Sequence, residues 1–492
     1  DLHSFPTRRS SDLEPEAKDH GDSNDSDAGA GKSKGNGKAL GQIKEHGLGK
    51  GKALGKTKEH GNGKTLAKGK NKNPEGTVAA ESAVAAAGRE NSGHGGGATI
   101  ISAGSYVHCE VLALGLSPQA ISRVRQLGFG IGETGLEEDE RTLVTLYAPA
   151  RLDALSAISL LRRELPRKTF HLNRIYRPYN TATKDDPGKT NPDRPGADDK
   201  CRGDRCYGKN TIGWKDEFAD CARDINVGVI DTDVDLRHPT FSGRKITRRA
   251  FLTDGKQPSP NAHGTSVLAL LAGRPDSDTP GLIPEAKFFL ANVFFDAGNG
   301  EIITDTVSLL KSLEWMNASQ TKVVNMSFSG PQDDLLQARL KMLRARGVVF
   351  TAAAGNEGPA ALPVYPAAYP EVIAVTAVTE DRRIYPSANR GPYIDVAAPG
   401  VRIWTALPDA REGYRTGTSF ATPFATAVLA LQQPDLMYES KDELLDHLNL
   451  VRLGADQHDP IFGRGLLQAP AECSGDRRPA SNLAPLTSSI AR

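Results

Sequence analysis

From about residue 224 to about residue 469 the chain alternates short apolar runs with longer stretches of helical periodicity. The runs at 227–230, 288–294, 323–327, 348–354 and 372–378 are continuous rather than alternating, the pattern of strands buried on both faces. Between them, residues 264–272, 304–317, 333–346 and 419–432 carry the spacing of helices. Strands separated by helices predict a parallel α/β sheet flanked by helices.

Residues 106 to about 178 follow another pattern. Tyr106 to Leu114 predicts a strand, and Ser117-Pro118 supplies an N-cap and a proline at the first helical position. Ile121, Val124 and Leu127 then share one helix face. A short strand at 129–131 and an alternating strand at 142–147 follow. A helix marked by Leu152, Leu155, Ile158 and Leu161 and a last strand through Phe170, Leu172 and Ile175 complete the unit. The order β-α-β-β-α-β is that of a ferredoxin-like α+β domain.

Before residue 99 the periodicity stops. Residues 1–13, DLHSFPTRRSSDL, read as sequence foreign to the fold. The absence of a signal peptide ahead of them therefore says nothing about secretion. Residues 14–98 are rich in Gly, Lys, Asn and Ser and cannot bury enough surface to offset ordering entropy, which predicts a disordered arm. Residues 37–50 and 51–64 form a tandem repeat with 11 of 14 positions identical. It reads either as a solvated linker grown by duplication or as a basic, His-bearing tether for polyanions, cell envelope or metal. The tail from 474 to 492 is also expected to be disordered, and 179–206 reads as a polar, Pro/Gly-rich linker suited to proteolysis.

The 492 residues exceed one ordinary core. The net charge of +1 excludes steering by the whole molecule but hides local asymmetry. Residues 14–29 hold six acidic residues against one Lys, and 31–75 hold twelve Lys against three Glu. No run of 18 apolar residues is present, so no transmembrane helix is expected. Among the five cysteines, Cys201, Cys206 and Cys221 cluster. A metal site would need four ligands and has no nearby His. A disulfide, Cys201–Cys206 or one of these with Cys221, fits better and implies an oxidising compartment. The odd total leaves at least one thiol unpaired.

Four segments carry candidate chemistry. Asp231 ends the run NVGVI, where open α/β sheets place their sites, although such an Asp can also cap a turn. His263 opens HGTSVLALLAG, in the first turn of an apolar helix that Gly273 would end as a C′ glycine. His238 and His447 carry no comparable context and read as surface or internally satisfied residues. Ser419 lies in GTSFATP at a helix N-terminus, where N–H groups and the dipole favour developing negative charge. Pro423 is compatible with that helix if it lies in the first turn. Asn356, in AAAGNEGP, follows a strand and could donate its side-chain amide to an oxyanion. A serine hydroxyl needs an adjacent base, and a carboxylate that orients the base, to become a nucleophile.

The order Asp, His, Ser, with these flanking motifs, resembles the subtilisin-like (subtilase) serine peptidase family from about residue 224 to about 469. The resemblance implies Asp231, His263 and Ser419 as catalytic and Asn356 as the oxyanion-hole donor. It further implies Ser327, Phe328, Ser329 and Gly330 as one wall of the pocket for the residue before the cut. Residues 296–302 resemble the edge that pairs with an extended substrate, and AAPG at 397–400 resembles a late loop of the family. Calcium is implied by the resemblance alone; no cofactor is assigned and no metal ligands can be named. Four positions depart from the family pattern: Asp233 stands where Gly is usual, adding a like charge near Asp231, Ser266 replaces His, Phe420 replaces Met, and Ser329 replaces Gly.

The expected architecture is thus a subtilisin-like parallel sheet flanked by helices (207–473), preceded by a small ferredoxin-like α+β propeptide-like domain (99–178) and a disordered N-terminal arm. The expected function is a serine endopeptidase made as a zymogen, monomeric, secreted or in the cell envelope or periplasm. It would act on protein or peptide substrates and engage its own propeptide-like domain, with no specific nucleic-acid partner. The rival expectations are a catalytically inactive binding protein on the same fold and, for residues 99–178, a permanent interaction domain.

Overall fold

The computed structural model describes residues 105–138, 141–179, 203–252, 256–432, 438, 440–454 and 456–472. The expectations for the first thirteen residues, the repeat-bearing arm, most of the 179–206 linker, the tail, Cys201 and Cys473 lie outside the described residues.

The first part runs β1 (Tyr106–Leu114), α1 (Pro118–Gln126), β2 (Gly130–Glu138), β3 (Arg141–Tyr147), α2 (Ala154–Glu164) and β4 (Phe170–Pro178). Its strands pair antiparallel in the order β2-β3-β1-β4. Ser117 accepts from the Ala120 N–H and Asp153 from the Ser156 N–H, so both helices begin at side-chain caps. Strand alternation divides the sheet's residues between two environments. Val111, Ala113, Val144 and Leu146 pack with Val124, Ile158 and Leu161 of the two helices. Leu112, Leu114, Leu136 and Leu143 point the other way, onto Leu310 and Leu335 further along the chain.

The second part begins with a short helix, α3 (Tyr207–Thr211), followed by β5 (Asn226–Asp231), β6 (Lys245–Ala250), α4 (Ala262–Ala272), β7 (Lys287–Asn292), β8 (Phe295–Asp296), β9 (Ile302–Asp305) and α5 (Thr306–Ala318). It continues with β10 (Val323–Met326), β11 (Phe328–Ser329), α6 (Asp334–Ala345), β12 (Val349–Ala353), β13 (Val372–Val378) and β14 (Val396–Pro399). The hairpin β15 (Ile403–Leu407) and β16 (Arg411–Arg415), α7 (Thr418–Leu431), α8 (Lys441–Asp446), β17 (Leu450–Val451) and β18 (Leu466–Leu467) complete it. Nine strands form one sheet in the order β17-β18-β14-β13-β12-β10-β5-β7-β6, parallel throughout except for β17 against β18. Val227 and Val229 face α4 and α7. Ile230, Val324 and Phe350 face α5 and α6. Both faces are covered, which is why the strands read as continuous apolar runs.

Three details differ from the sequence expectation: the short strand expected at 129–131 runs on to Glu138 as β2, and the other two concern Gly273 and Pro423. Gly273 has φ −55°, so it is not a left-handed cap. An added Cβ there would lie 2.0 Å from the Thr279 carbonyl oxygen, and close backbone approach is what requires glycine. Pro423 lies inside α7, in its second turn rather than its first. Its missing N–H leaves the Ser419 carbonyl without an intrahelical donor, and the Ser327 hydroxyl supplies one at 3.0 Å. Neither Cys206 nor Cys221 is a free thiol, whereas Cys109 is free and exposed.

The two parts meet along α5, α6 and the edge strands. Ile175 and Tyr176 of β4 pair antiparallel with Asp305 and Thr304 of β9, and Arg177 and Pro178 pair with Ser329 and Phe328 of β11. The Arg174 N–H donates to the Thr306 hydroxyl at 2.9 Å. Glu110 on β1 is partly buried near Asp305, which caps α5 through the Ser308 N–H. Burial, and then the Asp305 charge, push the Glu110 carboxyl up to about 7, against the opposing pull of the Asn173 amide and Lys256. A raised carboxyl favours the neutral form in the folded chain. Its contribution to stability is therefore full below the free value of 4.5 and is lost as pH rises through about 7.

In a Ser419→Ala background, Glu110→Gln is expected to remove a fall in urea midpoint between pH 5 and pH 8, a limb worth at most about 3 kcal/mol. An unchanged pH slope would show that Glu110 does not titrate there.

Candidate active site

Asp231 is the last residue of β5 and is 1% exposed. Its Oδ1 accepts the Thr232 N–H at 2.6 Å and lies 2.7 Å from His263 Nδ1. Its Oδ2 is buried without a partner. His263 is the second residue of α4. That helix is drawn close to the end of β5 by the Gly264 N–H, which donates to the Thr232 hydroxyl at 2.8 Å. An added Cβ on Gly264 would lie 2.6 Å from the Thr232 carbonyl oxygen, so glycine is what permits the approach. The other ring nitrogen, His263 Nε2, is buried and unpartnered. With Nδ1–H donated to Asp231, Nε2 is left as the acceptor of a proton.

Ser419 is the second residue of α7 and fully buried. Its hydroxyl donates to the Ser327 carbonyl at 3.2 Å. A first-turn N–H has no intrahelical acceptor, so the Ser419 N–H faces outward from the helix end. Asn356 lies in the turn after β12, and its Oδ1 accepts both the Thr418 N–H and the Thr418 hydroxyl at 3.0 Å. Those two bonds fix the amide so that Nδ2 is turned away from them, and Nδ2 is buried without a partner. Gly417, φ +147°, leaves room for it: an added Cβ would sit 3.2 Å from Nδ2. A donor held open beside a serine at a helix N-terminus is an arrangement suited to a developing oxyanion.

The departures noted in the sequence have local partners. Asp233 accepts from the Val234 N–H and pairs with Arg248 at 3.0 and 3.3 Å, which offsets the like charge expected beside Asp231. The Ser266 hydroxyl donates to the Ala406 carbonyl at 2.8 Å and ties α4 to β15. The Phe420 ring packs on the His263 ring with centroids 5.6 Å apart. His238 is held between the Thr240 N–H and the Arg411 carbonyl, and His447 bonds the Glu443 carbonyl of its own helix.

Sequence reasoning missed the support beneath Ser419. The Asn325 Nδ2 donates to the Ser327 hydroxyl at 2.9 Å, and Asn325 Oδ1 accepts from Thr426 at 3.1 Å. Thr426 in turn meets the Thr351 hydroxyl at 2.7 Å. This polar chain crosses β10, β12 and α7 inside an apolar core. Its only signal in the sequence is a polar Asn and Thr within runs that are otherwise apolar. Among the described residues no group of three or more His, Cys, Asp or Glu offers a donor set for a metal ion. No described helix is long and apolar enough to cross a membrane.

Residues 222–449 match the model of the subtilase family. The chain is 28% identical over 256 residues to the minor extracellular protease Epr of Bacillus subtilis, covering 51% of this chain and 39% of that protein. It is 33% identical over 221 residues to the major intracellular serine protease of the same organism, covering 42% of this chain and 68% of that protein. Among solved structures, fervidolysin from Fervidobacterium pennivorans, a keratinolytic enzyme related to subtilisin, superposes with a TM-score of 0.59 at 20% identity. That match covers 75% of this chain and 61% of that one, a likeness of fold. The chain thus spans well under half the length of the extracellular relative.

Ser327→Ala is expected to leave the Ser419 carbonyl and the Asn325 amide buried without partners. The cost is about 1–3 kcal/mol, read as a lower urea midpoint in a Ser419→Ala background. A midpoint equal to that of the parent would show that water replaces the lost hydroxyl.

Proposed function

The chain belongs to the subtilase family, and from that premise we propose that it is a serine endopeptidase acting through Asp231, His263 and Ser419. The observation that carries the reading is the Asp231–His263 contact at 2.7 Å, which leaves a buried, unpartnered Nε2 on the imidazole. Ser419 attacks the scissile carbonyl while Nε2 takes its proton. Asp231 holds the ring in the required tautomer and stabilises the imidazolium. The Asn356 amide and the Ser419 N–H hold the oxyanion, and His263 returns the proton to the leaving amine. Water, activated by the same imidazole, then hydrolyses the acyl-enzyme. The Ser419 hydroxyl must turn from the Ser327 carbonyl toward His263 for the first step, a rotation about one side-chain bond.

The substrate is a protein or peptide bound extended against β9 and β11, with Ser327, Phe328, Ser329 and Gly330 along one wall. Residues 99–178 are a ferredoxin-like propeptide and 207–473 the catalytic domain, so the chain is made as a zymogen. The support is the element order β-α-β-β-α-β, the sheet order β2-β3-β1-β4 and the pairing of β4 with both substrate-side strands. The peptidase acts as a monomer, secreted or in the cell envelope, a setting in which a disulfide involving Cys206 or Cys221 would persist.

The full chain incubated with a fluorophosphonate probe and with casein is expected to label and to digest, and the Ser419→Ala chain to do neither. A folded parent that neither labels nor digests after loss of residues 99–178 would favour the inactive binding protein. Asn356→Ala should lower kcat about 100- to 1000-fold with KM little changed. A loss carried mainly by KM would assign Asn356 to substrate binding instead.

A further inference from the structure

A second concave site lies away from Asp231, His263 and Ser419. It is formed by α3, the segment 278–282 that follows α4, and β15, with a volume of about 480 Å3 counting its open mouth. Its apolar lining is Leu270 of α4, Leu282, Ile403 of β15 and Phe424 of α7. Leu270 is seven residues beyond His263, about 10 Å along the helix, so the cleft sits at the far end of α4 from the candidate base. An apolar lining with a few placed polar groups is the form that small-molecule sites take.

The charged groups that define this cleft are two cations. Arg205, just ahead of α3, holds its guanidinium 4.4 Å from the centroid of the Trp404 ring. Lys209 on α3 is half-buried, and its ammonium donates to the Gly281 carbonyl at 3.1 Å. An ammonium carries three donors, so two remain for a ligand. Among the described residues neither cation forms an ion pair. Burial pushes the Lys209 ammonium down to about 8, against the opposing pull of Asp216, so its charge is incompletely compensated where it stands. The one acidic residue of the lining, Asp278, is exposed, and its carbonyl accepts the Trp404 indole N–H at 3.1 Å.

The walls are fixed before any ligand arrives. The Gly281, Leu282 and Ile283 N–H groups donate to the Gly273, Leu270 and Leu271 carbonyls at 2.8, 2.8 and 3.0 Å, which clamps the segment to the end of α4. An added Cβ on Gly208 would lie 2.7 Å from the Phe424 ring, so α3 rests directly on α7. The Ser266 hydroxyl holds β15 to α4. We propose that this cleft is a binding site for a small amphipathic carboxylate, an alkyl or aryl chain ending in a carboxyl group. The chain packs on Leu270, Leu282, Ile403 and Phe424, and the carboxylate takes charge-assisted hydrogen bonds from Lys209 and Arg205. Pairing a cation that burial disfavours is what selects an anion over an alcohol or an amine of the same shape. Binding there is separate from the peptidase reading and needs no turnover.

The test uses the full chain carrying Ser419→Ala, so that no self-digestion intervenes, and isothermal titration with phenylbutyrate and with the alcohol and the amine of the same carbon skeleton. The acid should bind with a Kd of about 1 mM or tighter, the range expected for a ligand of that size. The alcohol and the amine should bind at least about 10-fold more weakly, the effect of one charge-assisted hydrogen bond. Lys209→Gln, which keeps a donor for the Gly281 carbonyl, and Arg205→Gln should each weaken the acid by about 5- to 10-fold. At roughly ten times Kd the acid should shift the urea unfolding equilibrium about 11-fold toward the folded chain. Equal binding of the three compounds, no saturable binding of the acid, or binding unmoved by both substitutions overturns the site. The three compounds are compared on the unsubstituted cleft, so the outcome does not depend on whether either variant folds. None of these results bears on Ser419, whose labelling is read separately.

Discussion

The structure depends on how the start of α7 is seated at the end of β10. Ser327 and Ser419 bond reciprocally, hydroxyl to carbonyl in each direction, at 3.0 and 3.2 Å. The seat exists because Pro423 cannot donate to the Ser419 carbonyl, which frees that oxygen for a partner outside the helix. All fourteen residues of α7 are buried, so the helix cannot shift without opening the core. Fixing α7 fixes Ser419 and Thr418. Thr418 in turn fixes Asn356 by two bonds to Oδ1, leaving Nδ2 unspent. One helix end thus places both the candidate nucleophile and the candidate oxyanion donor.

The second anchor is the junction of β5 with α4. Gly264 lets the helix come close enough for its backbone to bond the Thr232 hydroxyl, and His263, one residue earlier, then meets Asp231. The two anchors lie on parallel-sheet elements that share a core on the α4/α7 side. The geometry between Asp231, His263 and Ser419 is therefore set by packing of apolar side chains far more extensive than the polar contacts themselves.

Much of this was legible in the sequence, and the reason is the nature of each signal. Buried parallel strands leave unbroken apolar runs, so 227–230 and 372–378 coincide with β5 and β13 to within a residue. The helix limits hold to within about two residues because their caps, such as Asp305 and Asp333, are local. What depends on distant parts of the chain was not legible. The roles of Gly273 and Pro423 are set by tertiary partners, the Thr279 carbonyl for the first and the Ser327 hydroxyl for the second. The charge on Asp233 looked unfavourable beside Asp231 until Arg248, fifteen residues away, was seen against it. The chain of Asn325, Thr426 and Thr351 and the pairing of β4 with β9 and β11 carry no local pattern at all.

The central claim is that Ser419 becomes covalently acylated during turnover, and acid-quenched burst kinetics test it most directly. With an activated ester whose alcohol is chromogenic, the matured chain should release a burst of close to one equivalent of alcohol per active site. Peptide mapping of the quenched protein should then find the acyl group on Ser419. A linear release with no burst, and no acyl adduct on the peptide that carries Ser419, would contradict the account.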